Sequence, residues 1–519
     1  MVETGGTQEV SARYSTDDGL SWGETETLFA LPKEPGGWGG VQALVDRDGE
    51  LQLFHLNDAH TGTFSPGEKR KEPLPMPERR LDIWHVKSRD GRRDWQSPKR
   101  IWKGYTGALN SVIQLKSGRI LLPFARYANR TWENRGEGLD AYTFMGEQDC
   151  TLVYSDDAGA SWHDSPAALR VPTPHIRAFG AIEPAVLELK DGRVWMVMRT
   201  QLGRLYESFS EDGIFWSKPQ PTSLLSSDSP VGLVRLLDGR IVLLWNNCLR
   251  YPYAVGGRHV LHAALSDDDG RSFWGVREVV RDPRRDEAPP PSGDHGTAYP
   301  FPALTKKGQV IFTTGQGKGR IAVVRFDPEW LNETRQKEDF SAGLDAWSTF
   351  ATRGVELIPH PEAENSKVLS IRKTDEHWPA AAVWNFPLGV RGRLRLRLLC
   401  RSGFSGAHIG LTDHFSTPFD GEAAFYNLFN FAISADCELS NGKKLTTDRW
   451  HTLQFDWDCE QRACRVNTDE QEALVLPQLR ASAGVCYLRL RAVAEETDEA
   501  GFLVDFVECE VGNQGNLAK

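Results

Sequence analysis

The sequence lacks several features that define other classes of protein. It has no apolar run of about 18 residues, the length that a helix needs to cross a bilayer, so we predict no membrane span. Residues 1 to 20 lack a positively charged start followed by an apolar core, which leaves both a cytoplasmic location and a removed leader open. The net charge of −10 is spread along the chain without a basic stripe, which argues against a nucleic-acid partner.

Cysteine is scarce and unevenly placed. Only Cys150 and Cys248 precede Cys400, and none of the 8 cysteines has the spacing of zinc ligands, so we predict no metal and no cofactor. Cys459 and Cys464 flank a short turn in WDCEQRACRV. Two alternatives stay open there: a disulfide across a hairpin, and buried free thiols on strands, of which the second is favoured.

The sequence is rich in turn residues and tryptophan. Its 519 residues, with 48 Gly, 29 Pro and 17 Trp, are typical of a folded protein with two or three domains. Five segments share a serine, at least one acid, a glycine and a tryptophan. They are YSTDDGLSW (14–22), KSRDGRRDW (87–95), YSDDAGASW (154–162), FSEDGIFW (209–216) and LSDDDGRSFW (265–274).

A second repeated turn alternates with these five segments. It centres on a glycine between two apolar runs, at Gly49, Gly118, Gly192, Gly239 and Gly308. An acid or polar residue before glycine caps a tight turn, and apolar runs on both sides predict hairpins. Each repeat is therefore a four-stranded antiparallel unit, whose tryptophan packs between successive sheets and whose acids fasten turns.

Four-stranded units repeated in this way are blades of a β-propeller. The repeated segment strongly resembles the Asp box (BNR repeat) of sialidases, and the resemblance covers residues 1 to about 335. It implies a six-bladed propeller. We predict blades two to five at 38–103, 108–170, 180–222 and 228–281, three strands of blade six at 298–326, and only the two outer strands of blade one.

The texture of the sequence changes after FDPEWLNET. Residues 338–519 contain alternating strands such as GRLRLRLLC and WHTLQFDWD, with almost no helical periodicity. This pattern predicts a β-sandwich, which resembles the concanavalin-like jelly rolls attached to carbohydrate enzymes. Trp378, Phe415 and Phe419 could bind sugar there, although packing is the favoured role for each. We thus expect an all-β chain with a propeller at 1–335 and a lectin-like sandwich at 338–519.

One hairpin, GAIEPAVLELKDGRVWMVMRT (180–200), carries an acid at one outer end and a base at the other. Counting from its turn, Glu183 and Arg199 lie about eight residues to either side and so nearly opposite each other. The same arithmetic pairs Asn110 with Arg126. Polar residues at this end of successive blades would meet at one mouth of the central channel.

The sialidase resemblance assigns roles to particular residues. Glu183 and Arg199 match the family's hairpin, Arg258 in GGRHVLHAALSDDDG matches a second arginine, and Tyr299 in HGTAYPFPAL matches the nucleophile. The resemblance implies that the arginines bind a substrate carboxylate, with Glu183 as the base that activates Tyr299. The family's acid/base aspartate and first arginine would come from blade one, where Glu9 is a candidate proton donor.

Other polar residues are expected to reach the same mouth. His175 and Arg177 precede blade four, and a substrate contact and a solvated loop role both stay open for them. Arg204 is either a third clamp residue or a partner for Glu207. The remaining candidates are Asp58 with His60 at the end of a strand, and His295 four residues before Tyr299.

Three functions fit these residues. The favoured one is a sialidase-like exo-glycoside hydrolase acting on an acidic, carboxylate-bearing sugar of a glycan. The alternatives are a polysaccharide lyase acting on a uronate-containing glycan, and a non-catalytic glycan-binding protein. The partner in each case is carbohydrate, and the family resemblance implies an extracellular or periplasmic location. The sequence does not define an oligomeric state.

Overall fold

The protein is represented by a computed structural model that describes residues 2–4, 9–34, 37–58, 80–91, 93–128, 147–173, 179–248, 257–287, 295–349, 353–514 and 517–518. The chain forms two compact units. The first contains residues 1–222, 228–235 and 299–313, and the second contains residues 223–227, 236–298 and 314–519. The predicted domain boundary at 335–338 does not coincide with this division and stays a prediction. No helix in the described ranges is long and apolar enough to cross a membrane.

The strands up to the end of the repeats are short. In chain order they are β1 (Val2–Thr4), β2 (Glu9–Ala12), β3 (Glu26–Ala30), β4 (Gly37–Val45), β5 (Leu51–Asp58), β6 (Asp82–Ser88), β7 (Lys99–Trp102), β8 (Ile113–Gln114), β9 (Ile120–Tyr127), β10 (Gln148–Ser155), β11 (His163–Asp164), β12 (Ile182–Glu188), β13 (Val194–Arg199), β14 (Arg204–Ser210), β15 (Gln220–Leu225), β16 (Gly232–Arg235), β17 (Ile241–Trp245), β18 (Val260–Ser266), β19 (Ser272–Arg281), β20 (Phe301–Leu304), β21 (Val310–Thr314) and β22 (Ala322–Phe326).

A 3-10 helix at Pro328–Asn332 separates these strands from the rest. The later elements are β23 (Arg335–Glu338), β24 (Trp347–Ser348), β25 (Val355–Pro359), β26 (Lys367–Ile371), β27 (Ala381–Cys400), β28 (Ala407–Thr412), α1 (Ala423–Tyr426), β29 (Phe429–Ile433), β30 (Trp450–Asp458), β31 (Ala463–Thr468), β32 (Gln471–Pro477), β33 (Val485–Ala492), β34 (Phe502–Gln514) and β35 (Leu517–Ala518).

The repeats fold as small antiparallel sheets, which confirms an all-β chain with a propeller arrangement. In the first unit β4 to β7 and β8 to β11 form four-stranded sheets, and β12, β13 and β14 pair in sequence. In the second unit β17, β18 and β19 do the same. One expectation was incomplete: blade one has three strands, because Val2–Thr4 pairs with β2 and places Glu3 opposite Ser11.

The repeated serine and aspartate fasten turns, as predicted. In the third sheet Ser155 Oγ accepts the N–H of Gly159 at 2.8 Å, and Asp157 accepts the N–H and the hydroxyl of Ser161 at 2.8 and 2.5 Å. The bonds from Ser161 lower the pKa of Asp157 to about 2. Equivalent bonds occur at Asp17, Asp90, Asp212 and Asp268. These acids are structural.

The tryptophans of two boxes, Trp162 and Trp95, pack on the preceding sheet, also as predicted. The ring of Trp162 lies 5.4 Å from the rings of both Phe54 and His85, which belong to the preceding sheet. Trp95 makes a similar contact with Phe29 at 4.7 Å. Aromatic contacts of this kind join small sheets that could not bury a core alone.

Two buried histidines of the first unit predict acid sensitivity. Burial lowers the pKa of His55 to about 4, and burial, with smaller contributions from Lys87 and Lys99, lowers that of His85 to about 3. An unfolded histidine titrates near 6.5. Between pH 6.5 and about 4 the unfolded chain therefore binds protons that the folded chain does not, so stability must fall as the pH falls.

We expect the free energy of unfolding to fall by about 1.4 kcal/mol per pH unit for each of these histidines in that window. Urea unfolding at several pH values measures the slope. His85→Gln should make it shallower, whereas His163→Gln, at an exposed position, should leave it unchanged. Equal slopes in the wild type and in His85→Gln would contradict the assignment.

The later strands form a β-sandwich around one core. Strand β27 belongs to both layers: its first part pairs with β33, with Trp384 opposite Leu488, and its second part pairs with β30 and β34. The register breaks between Asn385 and Gly389, where the strand leaves one layer for the other. Leu394 and its inward neighbours on β27 are fully buried in the core.

The cysteines and Phe415, one of the three aromatic candidates, are structural. All eight cysteines are free and buried, which confirms the free-thiol alternative at Cys459 and Cys464. Burial raises the pKa of Cys459 to about 12. Phe415 is fully buried between the rings of His259 and Tyr487, so its role is packing.

Candidate functional site

The hairpin of β12 and β13 forms as its sequence predicts. Gly192 donates its N–H to the Leu189 carbonyl at 3.1 Å, and its φ of +92° is a conformation that favours glycine. Residues Val194–Arg199 are all buried. The middle of the hairpin is thus apolar core, whereas its two ends carry the buried charged side chains of Glu183 and Arg199.

The register at the outer end differs from the prediction by one residue. Arg199 lies opposite Ile182, and the pairing then shifts, so that Val197 lies opposite Ala185. Glu183 occupies this irregularity with a φ of +48°, which is uncommon for a residue other than glycine. A bulge of this kind turns a side chain away from the direction that regular pleating would give it.

Tyr299 also has a left-handed backbone. Its φ is +60°, and it lies two residues before β20 begins. Most of the similar residues in the repeats, such as Asp18 and Ala158, occupy Asp-box turns, where this conformation is part of the turn. Strain of about 1–3 kcal/mol at a single residue is typical of functional sites, and here two strained residues come together.

The side chains of Glu183, Arg199 and Tyr299 form one hydrogen-bonded cluster within the first unit. Tyr299 Oη donates to Glu183 Oε1 at 2.6 Å. Arg199 Nη1 donates to Glu183 Oε2 at 2.5 Å and to Tyr299 Oη at 3.1 Å. Glu183 and Arg199 are only 5% and 7% exposed, whereas Tyr299 is partly exposed. The phenol thus lies at the accessible side of a buried ion pair.

Asp228 completes this cluster and was not among the predicted site residues. Arg199 Nε donates to Asp228 Oδ1 at 2.6 Å, and Gln201 Nε2 donates to its other oxygen at 3.2 Å. The Arg199 guanidinium also lies 5.2 Å from the centre of the Phe179 ring. No motif in the sequence marked Asp228.

The charges of this cluster determine the state of Arg199. Burial alone would lower its pKa, but the carboxylates of Asp228 and Glu183 outweigh burial and raise the pKa well above the ordinary arginine value. The arginine is therefore a permanent cation held between two carboxylates. A buried charge in this position orients its neighbours, because each of its contacts has a fixed geometry.

The predicted pairing of Asn110 with Arg126 is wrong. Arg126 instead forms an isolated antiparallel β-bridge with Thr106, and its side-chain Nη2 donates a long hydrogen bond of 3.4 Å to the Ala167 carbonyl. Asn110 Nδ2 donates to the Val231 carbonyl at 2.6 Å. Strand β8 contains only Ile113 and Gln114, so the regular pairing with β9 ends before it reaches Asn110. Substrate contacts by Asn110 and Arg126 stay predictions.

Two more candidates of the first unit lie at strand ends. Arg204 begins β14 with an exposed side chain and donates to the Thr222 carbonyl at 3.2 Å. Glu207, its proposed partner, accepts the indole N–H of Trp195 at 2.7 Å. Asp58 ends β5, as predicted, opposite Gly37. The structure brings none of these into the Tyr299 cluster by a described hydrogen bond.

The other candidates belong to the second unit or lie outside the described residues. Arg258 belongs to the second unit, where it is 1% exposed and donates to Gln316 Oε1 at 2.6 Å. His295 belongs to the same unit and is also buried. His175, Arg177 and His60 lie outside the described residues. Within the described ranges no group of three or more His, Cys, Asp or Glu side chains is arranged to hold a metal ion.

Comparison with known proteins identifies the family of the repeats. The BNR repeat-like domain matches residues 3–311, more than half of the chain. A curated relative, a sialidase of Micromonospora viridifaciens, is 26% identical over 364 residues, which are 64% of this chain and 48% of that protein. The chain thus spans about half the length of that relative.

Solved structures give weaker similarities. Trypanosoma rangeli sialidase, in complex with 2,3-difluorosialic acid as a covalent intermediate, is 13% identical with a TM-score of 0.41, over 97% of this chain and 87% of that one. A protein of unknown function from Dyadobacter fermentans is 20% identical with a TM-score of 0.44, over 62% of this chain and 85% of that one. On the match of its repeats, the chain belongs to the sialidase-like family of BNR repeat domains.

Proposed function

We propose that the protein is a sialidase-like exo-glycoside hydrolase that releases a carboxylate-bearing sugar from the end of a glycan. One observation carries this proposal: the phenol of Tyr299 donates to Glu183 at 2.6 Å beside the Arg199 cation. A phenol is a weak nucleophile at its ordinary pKa near 10, and an adjacent base removes this limitation.

The cluster can carry out a two-step displacement. Tyr299 Oη transfers its proton to Glu183 and attacks the anomeric carbon, while the bond from that carbon to the glycan oxygen breaks. The departing oxygen takes a proton from a general acid, for which Glu9 at the start of β2 stays the candidate. Water then attacks the anomeric carbon and gives one proton to the deprotonated general acid, while the bond from that carbon to Tyr299 Oη breaks and the phenolate takes back its proton from Glu183.

Arg199 has two roles in this scheme. Its Nη1 lies 3.1 Å from Tyr299 Oη and stabilises the phenolate that forms when the proton moves to Glu183. Its described hydrogen bonds use Nε and Nη1, so Nη2 is the group proposed to bind the substrate carboxylate. Arg258, in the second unit, stays a predicted carboxylate-binding residue on the family resemblance alone. The phenol is neutral while the anionic sugar binds, which avoids repulsion between the two.

The name of the Micromonospora relative supports an acidic sugar as the substrate. Because the chain spans about half of that protein, the acidic substrate is a proposal for this chain. The extracellular or periplasmic location implied by the family resemblance also stays a proposal.

A panel of sialylated and uronate-containing glycans tests the proposal. We expect release of a free acidic monosaccharide without a rise in near-ultraviolet absorbance. A polysaccharide lyase would instead create an unsaturated sugar that absorbs there, and a binding protein would release nothing. Measuring released sugar and absorbance on the same samples therefore separates the three functions.

A further inference from the structure

A polar cavity lies in the β-sandwich, entirely within the second unit. Its volume of about 470 Å³ is in the range of small-molecule sites. Its walls include Lys373, Trp378, His408, Arg489 and Arg491. The Glu376 carboxylate and several small apolar residues also line it. The cations Lys373, Arg489 and Arg491 therefore outnumber the single acid in a cavity that is separate in sequence from the Tyr299 cluster.

The positions of the cations follow from strand register. Arg489 and Arg491 are two residues apart on β33 and so share one face of the sheet. On the neighbouring strand β28, His408 lies opposite Arg491 and Gly410 lies opposite Arg489. The absence of a side chain at Gly410 leaves room there, which the Asn427 amide occupies: an added Cβ would lie 2.2 Å from its Nδ2.

Arg489 is buried among uncharged acceptors. It is 6% exposed, and it donates to the carbonyl and hydroxyl oxygens of Ser416 at 2.6 and 2.5 Å and to the Thr417 carbonyl at 3.1 Å. Burial lowers the pKa of Arg489 to about 10, which still leaves it charged at neutral pH. A buried cation without an ion pair is costly, and a bound anion would remove that cost.

The other cations of the cavity wall, Arg491 and Lys373, also donate to uncharged backbone carbonyls. Arg491 Nη1 donates to the Asp420 carbonyl at 3.4 Å, and Lys373 Nζ donates to the Ala494 and Glu495 carbonyls at 3.0 and 2.8 Å. In the described part of the chain, neither Arg489 nor Arg491 forms an ion pair. The charge of the Asp420 carboxylate partly offsets the effect of burial on the pKa of both arginines, although its described hydrogen bond is to the N–H of Glu422 at 3.0 Å.

One wall of the cavity is aromatic. The Trp378 ring stacks on that of Phe419 at 5.7 Å with an interplanar angle of 23°. The Trp378 Nε1 atom is buried and has no hydrogen-bond partner among the described residues. The part of the tryptophan ring that lines the cavity suits a sugar ring, which presents C–H groups on one of its faces.

We propose that this cavity binds a saccharide unit that carries a carboxylate. Arg491 and Arg489 attract the carboxylate, and the Trp378 face contacts the sugar ring. The cavity would hold the protein on an acidic glycan without taking part in bond cleavage, and the proposal does not rest on Tyr299 or on hydrolysis.

Fluorine NMR of the full chain labelled with 5-fluorotryptophan gives a local test. The Trp378 resonance is assigned by its loss in Trp378→Phe. We expect glucuronate to shift this resonance to saturation, and its neutral methyl ester to bind at least about tenfold more weakly, because a charge-assisted hydrogen bond contributes that much. Arg491→Gln should weaken glucuronate by at least about tenfold and the ester by less than about twofold.

Matched variants define the alternatives. Arg393→Gln, at an exposed position on β27, should change neither affinity. Tyr299→Phe should leave the Trp378 response intact, which separates this proposal from the hydrolase. Equal binding of glucuronate and its ester, or no shift of the Trp378 resonance, would overturn the proposal. Inorganic sulfate binding as tightly as glucuronate, with the same dependence on Arg491, would show a simple anion site and overturn it as well.

Discussion

Replacement of Tyr299 by phenylalanine is expected to reduce release of an acidic sugar by roughly 10³-fold or more, because it removes the attacking oxygen. The aromatic ring and its backbone position stay the same, so the affinity for the sugar should change by less than about threefold. Initial rates with an active member of the glycan panel, together with calorimetric binding of the free sugar, measure both quantities.

Two variants show whether this loss is specific. Tyr154→Phe removes a phenol from β10, where the Arg119 guanidinium lies 5.0 Å from the ring centre, and should leave the rate unchanged. Glu183→Gln keeps an acceptor for Tyr299 but cannot take its proton, and we expect a loss of about 10²- to 10⁴-fold. A Tyr299→Phe enzyme with the wild-type rate would eliminate the tyrosine mechanism.

Much of the fold could be predicted from the sequence because the contacts that determine it join residues close together in the chain. The serine, aspartate and glycine of an Asp box bond to one another within about five residues, so each box predicts its own turn. The alternation of boxes with glycine turns then gave blade boundaries close to the observed strands, such as Gly37–Trp102 for the second sheet. The strand of blade one that was not predicted, Val2–Thr4, is too short to show an alternation of apolar and polar residues.

The site could be predicted only in part, because its hydrogen bonds join residues that are far apart in the sequence. Glu183 and Arg199 could be related by counting from one turn, but Tyr299 and Asp228 join them from distant parts of the chain. The bulge at Glu183 has no periodic signal, since it interrupts the alternation on which register counting depends. The failed pairing of Asn110 with Arg126 has the same origin: an irregular segment lies between the turn and the residue.

The ion cluster predicts a large effect on stability as well as on activity. Arg199→Met should lower the free energy of unfolding by about 3–5 kcal/mol, because it leaves the carboxylates of Glu183 and Asp228 buried without their cation. The triple variant Glu183→Gln, Arg199→Met and Asp228→Asn removes all three charges together. Since a buried ion cluster adds little stability over neutral groups of similar volume, this variant should recover most of the loss while staying inactive.

Urea unfolding of both variants at neutral pH measures the difference. A loss below about 1 kcal/mol in Arg199→Met would mean that water reaches both carboxylates, and the cluster would then not be the desolvated environment that the proposed activation of Tyr299 requires.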